Sequence, residues 1–324
     1  MKLGVLTALY ADRPLKAVLD LAQNVGLDCL EIGTGNYPGN AHIDVEALLA
    51  SESARKAYLE GFSSRGLEIS ALSCHGNPLH PQPEKALASH DVYRKTVELA
   101  GKLGVPCVNL FSGCPGDSEQ ARYPNWVTCA WPTDFQEVLD WQWNQKVIPY
   151  WKEQAAFAES NGVKLGFEMH PGFVVYNNAT LLRLRGACGE AVGANFDPSH
   201  LFWQGVDIEV AIAELGRAGA IHHVHMKDTG FNRANTARNG VLDTVPMDQV
   251  GNRSWVFRTV GFGHGEEEWK RILTAFRLAG YEGALSIEHE DALFSVDEGF
   301  NKCVAFLRAV MPSDPPLTNA WWTH

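Results

Sequence analysis

The sequence lacks long apolar runs and paired cysteines, two features that mark large classes of protein. No apolar run approaches the roughly 18 residues that a membrane helix requires, so a membrane partner is not expected. Seven cysteines are scattered over 324 residues and none forms a CxxC pair. This pattern is typical of reduced thiols in a cytoplasm, and we therefore expect a cytoplasmic protein.

The sequence also has little positive charge. It contains 27 lysines and arginines against 38 aspartates and glutamates, which gives a formal net charge of −11 at pH 7. We find no basic run that would offset this excess. A polyanion would be repelled at long range by such a chain, so nucleic acid is not an expected partner.

Motifs for nucleotide binding and for serine hydrolases are absent as well. The glycine-containing segment GFGHGE does not follow a predicted strand as a dinucleotide fingerprint does, and it lacks the spacing of a phosphate loop. No GxSxG nucleophile elbow occurs. These absences exclude the commonest cofactor and nucleophile motifs of α/β enzymes.

Eight short apolar segments alternate with longer amphipathic segments. The amphipathic segments repeat apolar residues every three or four positions and end in glycine, which is typical of helices. Asp12, Arg13 and Pro14 interrupt the first apolar segment, so we interpret it as a strand and not as a signal peptide. The predicted strands cover residues 3–10, 28–35, 67–77, 106–113, 163–171, 192–200, 221–228 and 284–291.

Repeated strand and helix units predict an α/β protein whose parallel strands are joined by right-handed crossovers. Eight units favour a closed (β/α)8 TIM barrel, formed by residues 1–324 as a single domain, over an open doubly wound sheet. Two long connections, at 114–142 and 229–263, follow the carboxyl ends of strands. We expect them to cover that face as lids or binding walls, with a contact between subunits as the alternative.

Carboxylates and imidazoles lie at the ends of the last four predicted strands. Carboxylates that converge near a barrel axis repel one another and are costly to bury, and a cation resolves this. Taken singly, each residue could be a rim salt bridge or a helix cap. Alternation places His223 and His225 on one face, with His225 nearer the strand end. We predict one divalent ion bound by Glu168, Asp197, His225 and Glu288. An oxygen-rich set with one nitrogen suits Mn²⁺ best, with Mg²⁺, Co²⁺ and Zn²⁺ as alternatives.

Further polar residues are candidates for substrate binding. They are His75, His170, His200, Lys227 and Arg258. The histidines can bind substrate hydroxyls or support the metal ligands, although lone histidines often have only structural roles. Lys227 can stabilise an enolate-like oxygen, or it pairs with Asp228 or Glu290. Arg258 either reaches over the pocket or is a solvated loop charge. Glu31 can also face the pocket, but we assign it no catalytic role.

Several of these segments resemble a known family. LGFEMHP, FDPSH, HVHMKD and LSIEHE, together with SCHGNPLHP in the first half, are similar to xylose-isomerase-like barrel enzymes. That family includes sugar-phosphate isomerases, ketose 3-epimerases, inosose dehydratase and, more distantly, endonuclease four. The resemblance implies the same four metal ligands, with Glu168 and Glu288 also moving protons. It implies isomerisation or epimerisation of a sugar through an enediolate.

The chain is longer than the short ketose epimerases, which leaves its substrate open. The resemblance also allows a lyase acting on a keto sugar, either an inosose-type dehydratase or a deglycosidase of 3-keto-glycosides or C-glycosides with a small partner subunit. A metal-dependent nuclease conflicts with the net charge of −11. A non-catalytic sugar-binding subunit is a further alternative. We expect a homo-oligomer that acts on a small sugar or keto sugar.

Overall fold

The barrel strands position every other element of the fold. A computed structural model describes residues 1–314, and positions 315–324 of the predicted domain lie outside the described residues. Eight parallel strands close on one another in a ring. They are β1 (Lys2–Leu6), β2 (Cys29–Gly33), β3 (Glu68–Ser73), β4 (Cys107–Leu110), β5 (Lys164–Glu168), β6 (Val192–Phe196), β7 (Ile221–Met226) and β10 (Ala284–Ile287).

The ring order follows the chain from β1 to β7, and β10 closes it between β7 and β1. This arrangement confirms the predicted single-domain (β/α)8 barrel and excludes the open sheet. Because all eight strands are parallel, their carboxyl ends meet at one face of the barrel. Catalytic groups of such barrels lie at this face.

Helices surround the barrel, and those predicted from the glycine pattern end at or just before the expected glycines. They are α1 (Leu15–Asn24), α2 (Val45–Ala50), α3 (Glu52–Ser63), α4 (Pro83–Leu103), α5 (Asp134–Trp141), α6 (Ile148–Ser160), α7 (Asn178–Cys188), α8 (Pro198–Phe202), α9 (Ile208–Arg217), α10 (Arg233–Asn239), α11 (Glu266–Leu278) and α12 (Val296–Val310). Gly104 ends α4 with φ +72°, a left-handed conformation that favours glycine. Among residues 1–314, no helix has the length and apolarity needed to cross a bilayer.

The core fills the space between helices and barrel. Trp151 of α6 is fully buried and packs edge-on against Phe167 of β5, with ring centroids 4.7 Å apart. Trp269 of α11 is equally buried. Five of the seven cysteines are also buried, and none forms a disulfide. Burial of these large rings contributes much of the apolar area that holds the outer layer on the strands.

The predicted strands were too long at their carboxyl ends. The sixth was predicted to reach residue 200, but β6 ends at Phe196 because Pro198 begins α8. Asp197 caps that helix, its Oδ1 accepting a hydrogen bond from the Ser199 backbone N–H at 2.8 Å. The first strand likewise ends at Leu6, where a 3₁₀ turn begins. Shorter strands leave the polar residues that follow them on the rim.

The two long connections contain secondary structure of their own. Residues 114–142 include α5, which continues through a π-helical turn, Gln142–Val147, into α6. The connection after β7 contains α10 and a two-stranded antiparallel sheet made of β8 (Asp228–Phe231) and β9 (Trp255–Arg258). Arg258 therefore lies on a strand and not in an irregular loop.

A single carboxylate, Asp228, ties the second connection to the barrel. It is fully buried, and its Oδ2 accepts hydrogen bonds from the backbone N–H groups of Gly261, Gly263 and His264 at 2.9–3.1 Å. The indole N–H of Trp269 donates to the same oxygen at 3.1 Å. Buried donors of this kind lose a charged acceptor if the carboxylate is removed.

We expect Asp228→Asn to destabilise the protein by about 3 kcal/mol, because an amide offers one acceptor and turns two donors toward other donors. The free energy of unfolding in urea, measured for the variant and the natural protein, checks this. Asp248→Asn is the matched control, since Asp248 is exposed in the same connection and the change there should stay within about 0.5 kcal/mol. Equal stability of both variants would contradict the role assigned to Asp228.

Candidate active site

The structure brings the four predicted metal ligands together at the carboxyl face of the barrel. Glu168 is the last residue of β5, Asp197 follows β6, His225 lies near the end of β7, and Glu288 follows β10. One ligand atom from each residue lies within 4.8 Å of those of the other three. Side chains separated by up to 120 positions in sequence thus share one small space, because neighbouring strand ends are adjacent in the ring.

Two atoms of this cluster have no hydrogen-bond partner although they are buried. They are the Oδ2 atom of Asp197 and the Nδ1 atom of His225. Nδ1 of His225 lies 3.1 Å from Glu288 Oε2 and 3.4 Å from Glu168 Oε2. Buried polar atoms without a hydrogen-bond partner are rare, so these two atoms mark the cluster as a candidate cation site, although Lys227 Nζ lies 3.1 Å from Asp197 Oδ2. Three carboxylates and one imidazole are a donor set that fits a divalent cation.

Lys227 adds a buried positive charge beside the cluster. Its Nζ lies 2.7 Å from Glu288 Oε2, 2.9 Å from Glu290 Oε2 and 3.1 Å from Asp197 Oδ2. Burial opposes the charged form, but the Asp197, Glu288 and Glu290 carboxylates raise the pKa of Lys227 well above its usual range. Of the two acidic partners considered from the sequence, Lys227 pairs with Glu290 and not with Asp228.

Three predicted histidines surround Glu168 at two distances. His200 Nε2 lies 2.9 Å from Glu168 Oε1, and His75 Nε2 lies 3.0 Å from Glu168 Oε2. The His170 ring lies next to His200, and the two ring centroids are 4.1 Å apart. Burial, together with the neighbouring His200, lowers the pKa of His170 to about 3, so this imidazole is neutral near pH 7.

Both glutamates of the cluster are ionised. Burial opposes the carboxylate form of Glu168, but the adjacent imidazoles of His200, His225 and His75 hold its pKa well below its usual range. Burial also opposes the carboxylate form of Glu288. The Lys227 and His225 side chains outweigh this effect and lower the pKa of Glu288 to about 2. A carboxylate near neutral pH can accept a proton or bind a cation.

Arg258 does not join the cluster. Its Nε donates a hydrogen bond to Asp291 Oδ2 at 2.9 Å, and its guanidinium lies 5.7 Å from the Phe294 ring centroid. The register of β8 and β9 sets it opposite Asp228. The contacts of this side chain with Asp291 and Phe294 could not be identified from the sequence.

A buried polar layer lies beneath the cluster, and sequence reasoning missed most of it. Its members are Glu31, Ser73, Asn109, Asn195, His223 and Ser286, all within a few per cent of full burial. His223 was expected one layer below His225, and it lies there, with Nδ1 3.1 Å from Asn195 Oδ1. The available signal was an ionisable residue, Glu31, inside the apolar run of β2.

A cavity of about 700 Å³ lies next to the cluster, and its lining includes His200, which contacts Glu168. Its inner end is bounded by His170, His200 and Glu290. Its outer wall is largely aromatic, and the Trp203 and Trp255 rings there are stacked, with centroids 4.7 Å apart and planes 7° apart. Both long connections contribute to the wall, through Trp126 and Thr128 and through residues 242–247. The cavity thus combines polar and aromatic lining side chains.

The chain belongs to the family of xylose isomerase-like TIM barrels, and the model of that family matches residues 19–310. An uncharacterized protein of Bacillus subtilis (strain 168), YfiH, is 39% identical over 311 residues, covering 95% of this chain and 98% of that protein. Similar solved structures include a D-tagatose 3-epimerase-like protein, with TM-score 0.62, 19% identity, and 96% of this chain and 98% of that chain covered.

The IolI protein, solved with a bound zinc atom, is similar to the same extent. Its TM-score is 0.62 with 20% identity, and the match covers 96% of this chain and 98% of that chain. Identities this low establish a shared fold and do not carry over a reaction. The reaction therefore depends on the side chains of the site.

Proposed function

We propose that this chain is a divalent-metal-dependent sugar isomerase or epimerase. The observation that carries the proposal is the buried cluster in which Glu168, Asp197, His225 and Glu288 meet and leave two polar atoms unpaired. These four side chains would hold one ion, and Mn²⁺ is our first choice from the donor set. When bound, the ion draws electron density from a substrate carbonyl and its neighbouring hydroxyl, which favours an enediolate.

The two glutamates would move the proton. Both are carboxylates, and in the ring β6 and β7 stand between their strands, so they approach a bound substrate from different sides. One removes a proton from the carbon next to the carbonyl. Return of the proton to the other face of that carbon gives an epimer, and return to the adjacent carbon gives an isomer.

The neighbouring side chains would orient the substrate. His75 and His200 bind the oxygens of Glu168 and hold that carboxylate in position. Lys227 supplies a fixed positive charge near the oxygen that becomes negative. Neutral His170 lines the cavity, where it can hydrogen-bond a sugar hydroxyl. IolI, a barrel of the same fold, was solved with a bound zinc atom, which supports the proposal of a metal ion in this chain.

Exchange with deuterated water tests the proposal. Incubation of the Mn²⁺-loaded protein with a panel of ketoses in D₂O is expected to place deuterium on the carbon next to the carbonyl, detected by proton NMR. Both epimerisation and isomerisation through an enediolate require this exchange. Conversion of a ketose without any deuterium uptake, in protein whose metal content has been verified, would contradict the proposed proton transfer.

A second candidate function is favoured by the aromatic cavity. A volume of about 700 Å³ with stacked tryptophans suits a ligand of more than one ring, because drug-sized ligands occupy cavities of about 300–1,000 Å³. A lyase that releases the second group from a 3-keto-glycoside would use the same proton abstraction next to a ketone. In the D₂O experiment this reaction is distinguished by release of water or of an aglycone.

A further inference from the structure

Glu31 lies at the centre of the buried layer under the metal cluster. It belongs to β2 and is completely buried. Asn109 Nδ2 donates to its Oε1 at 2.8 Å, and Ser286 Oγ donates to its Oε2 at 2.7 Å. The Ser73 hydroxyl donates to Oε1 as well. Groups from β3, β4 and β10 therefore point their donors at one carboxylate, and only the ionised form accepts all of them.

The fourth partner of Glu31 is His225. The Nε2 atom of His225 lies 3.0 Å and 3.1 Å from the two Glu31 oxygens. The other ring nitrogen, Nδ1, faces Glu168 and Glu288 and has no hydrogen-bond partner. A neutral imidazole carries a single N–H, and an ionised carboxylate can only accept it. The contact with Glu31 requires a proton on Nε2, and a neutral ring with that proton has its lone pair on Nδ1, which faces the cluster.

We propose that Glu31 is a positioning residue, which fixes the Nε2–H tautomer of His225 and presents Nδ1 to the metal ion. This inference rests on the metal site of the proposed function. A carboxylate that accepts the second N–H of a metal-binding histidine orients the ring and makes the ligand nitrogen more basic. Glu31 acts in this way from below the site, without touching the substrate.

The geometry also offers a competing arrangement, in which Glu31, His223 and His225 bind an ion of their own. The contacts of His223 argue against it. Its Nδ1 lies 3.1 Å from Asn195 Oδ1, and its Nε2 lies 3.3 Å from Ser70 Oγ. Both ring nitrogens thus have protein partners, whereas the upper cluster contains orphaned atoms. The lower layer is saturated with hydrogen bonds and supports the upper one.

The test combines metal binding by Glu31→Gln with the protonation pattern of His225. We expect calorimetric titration of the chelated full chain with Mn²⁺ to show affinity about 10- to 100-fold weaker in Glu31→Gln than in the natural protein. Ser286→Ala is the matched control. It removes the hydrogen bond that Ser286 donates to Glu31 Oε2 but leaves the His225 side chain unchanged, so Mn²⁺ affinity in this variant should fall by less than about tenfold. Histidine ¹⁵N NMR of the Zn²⁺-loaded natural protein should show the proton of His225 on Nε2.

Four results would overturn the inference. One is Mn²⁺ affinity in Glu31→Gln equal to that of the natural protein, and another is an equal loss of affinity in Ser286→Ala. A third is a second bound ion that Glu31→Gln abolishes, since Glu31 would then be a ligand. The fourth, metal on Nε2 of His225 in the natural protein, needs no variant to fold. If the natural protein binds no ion at all, the proposed function fails as well, and that outcome is distinct from the others.

Discussion

Replacing Glu168 with glutamine is expected to lower turnover by about 10²–10⁴-fold, the range that proton transfer by a positioned side chain contributes. A carboxamide has nearly the same shape but cannot accept a proton from carbon. It also turns a donor toward His75 or His200, which now face carboxylate oxygens. The variant's rate of deuterium exchange into a ketose that the natural protein exchanges measures the effect. Glu288→Gln is expected to behave similarly, because the second carboxylate must return the proton.

Glu267→Gln is the control for these two variants. Glu267 is 91% exposed on α11 and pairs with Arg271 of the same helix, so the same chemical change there should leave the exchange rate unaltered. Far-ultraviolet circular dichroism of all three variants shows whether the barrel is intact. Exchange at the natural rate in both Glu168→Gln and Glu288→Gln would refute the assignment of these residues as the proton-transferring pair.

Removal of divalent ions with a chelator is expected to abolish turnover, and addition of Mn²⁺ is expected to restore it. Without an ion, the Glu168, Asp197 and Glu288 carboxylates converge beside the single ammonium group of Lys227. Repulsion among them, together with the loss of carbonyl polarisation, would stop the reaction. Binding also stabilises the folded state, by about 2.7 kcal/mol at an ion concentration of 100 times Kd.

Two measurements check this second prediction. Initial rates are compared in chelated protein before and after addition of Mn²⁺, and thermal unfolding is followed in the same samples. Ca²⁺ is the comparison ion, since it prefers six to eight oxygen ligands and suits an imidazole-containing set poorly. It should restore less turnover than Mn²⁺. Undiminished turnover in protein shown by elemental analysis to be free of metal would disprove the role of the ion.

The barrel was predictable because its signal is repeated eight times. Each apolar strand followed by an amphipathic helix contributes independent evidence for a parallel sheet, and errors in one segment do not alter the class of fold. Strand ends were less predictable. Residues 197–200 continue the strand-like pattern in sequence, yet Pro198 and the capping side chain of Asp197 start a helix there. A local cap competes with strand extension, and a count of apolar residues does not register it.

Some residues of the candidate site were predictable from the sequence and others were not. Glu168, Asp197, His225 and Glu288 could be grouped from sequence because strand ends of a parallel barrel share one face, whatever their spacing in the chain. The partners of Arg258 and Asp228 could not be inferred, because both depend on how the connection after β7 folds back on itself. Glu31 was underestimated, since a residue in the middle of a strand reveals its importance only through contacts made across the barrel.

The most direct test of the account is the number of ions that one chain binds through these four residues. Calorimetric titration of chelated protein with Mn²⁺ should give a single site in the natural protein and no measurable binding in Asp197→Asn. Asparagine is an equally good helix cap, so α8 should be retained and the loss can be attributed to the missing charge. Binding of Mn²⁺ by Asp197→Asn with unchanged affinity, or no binding by the natural protein, would contradict the proposed metal site.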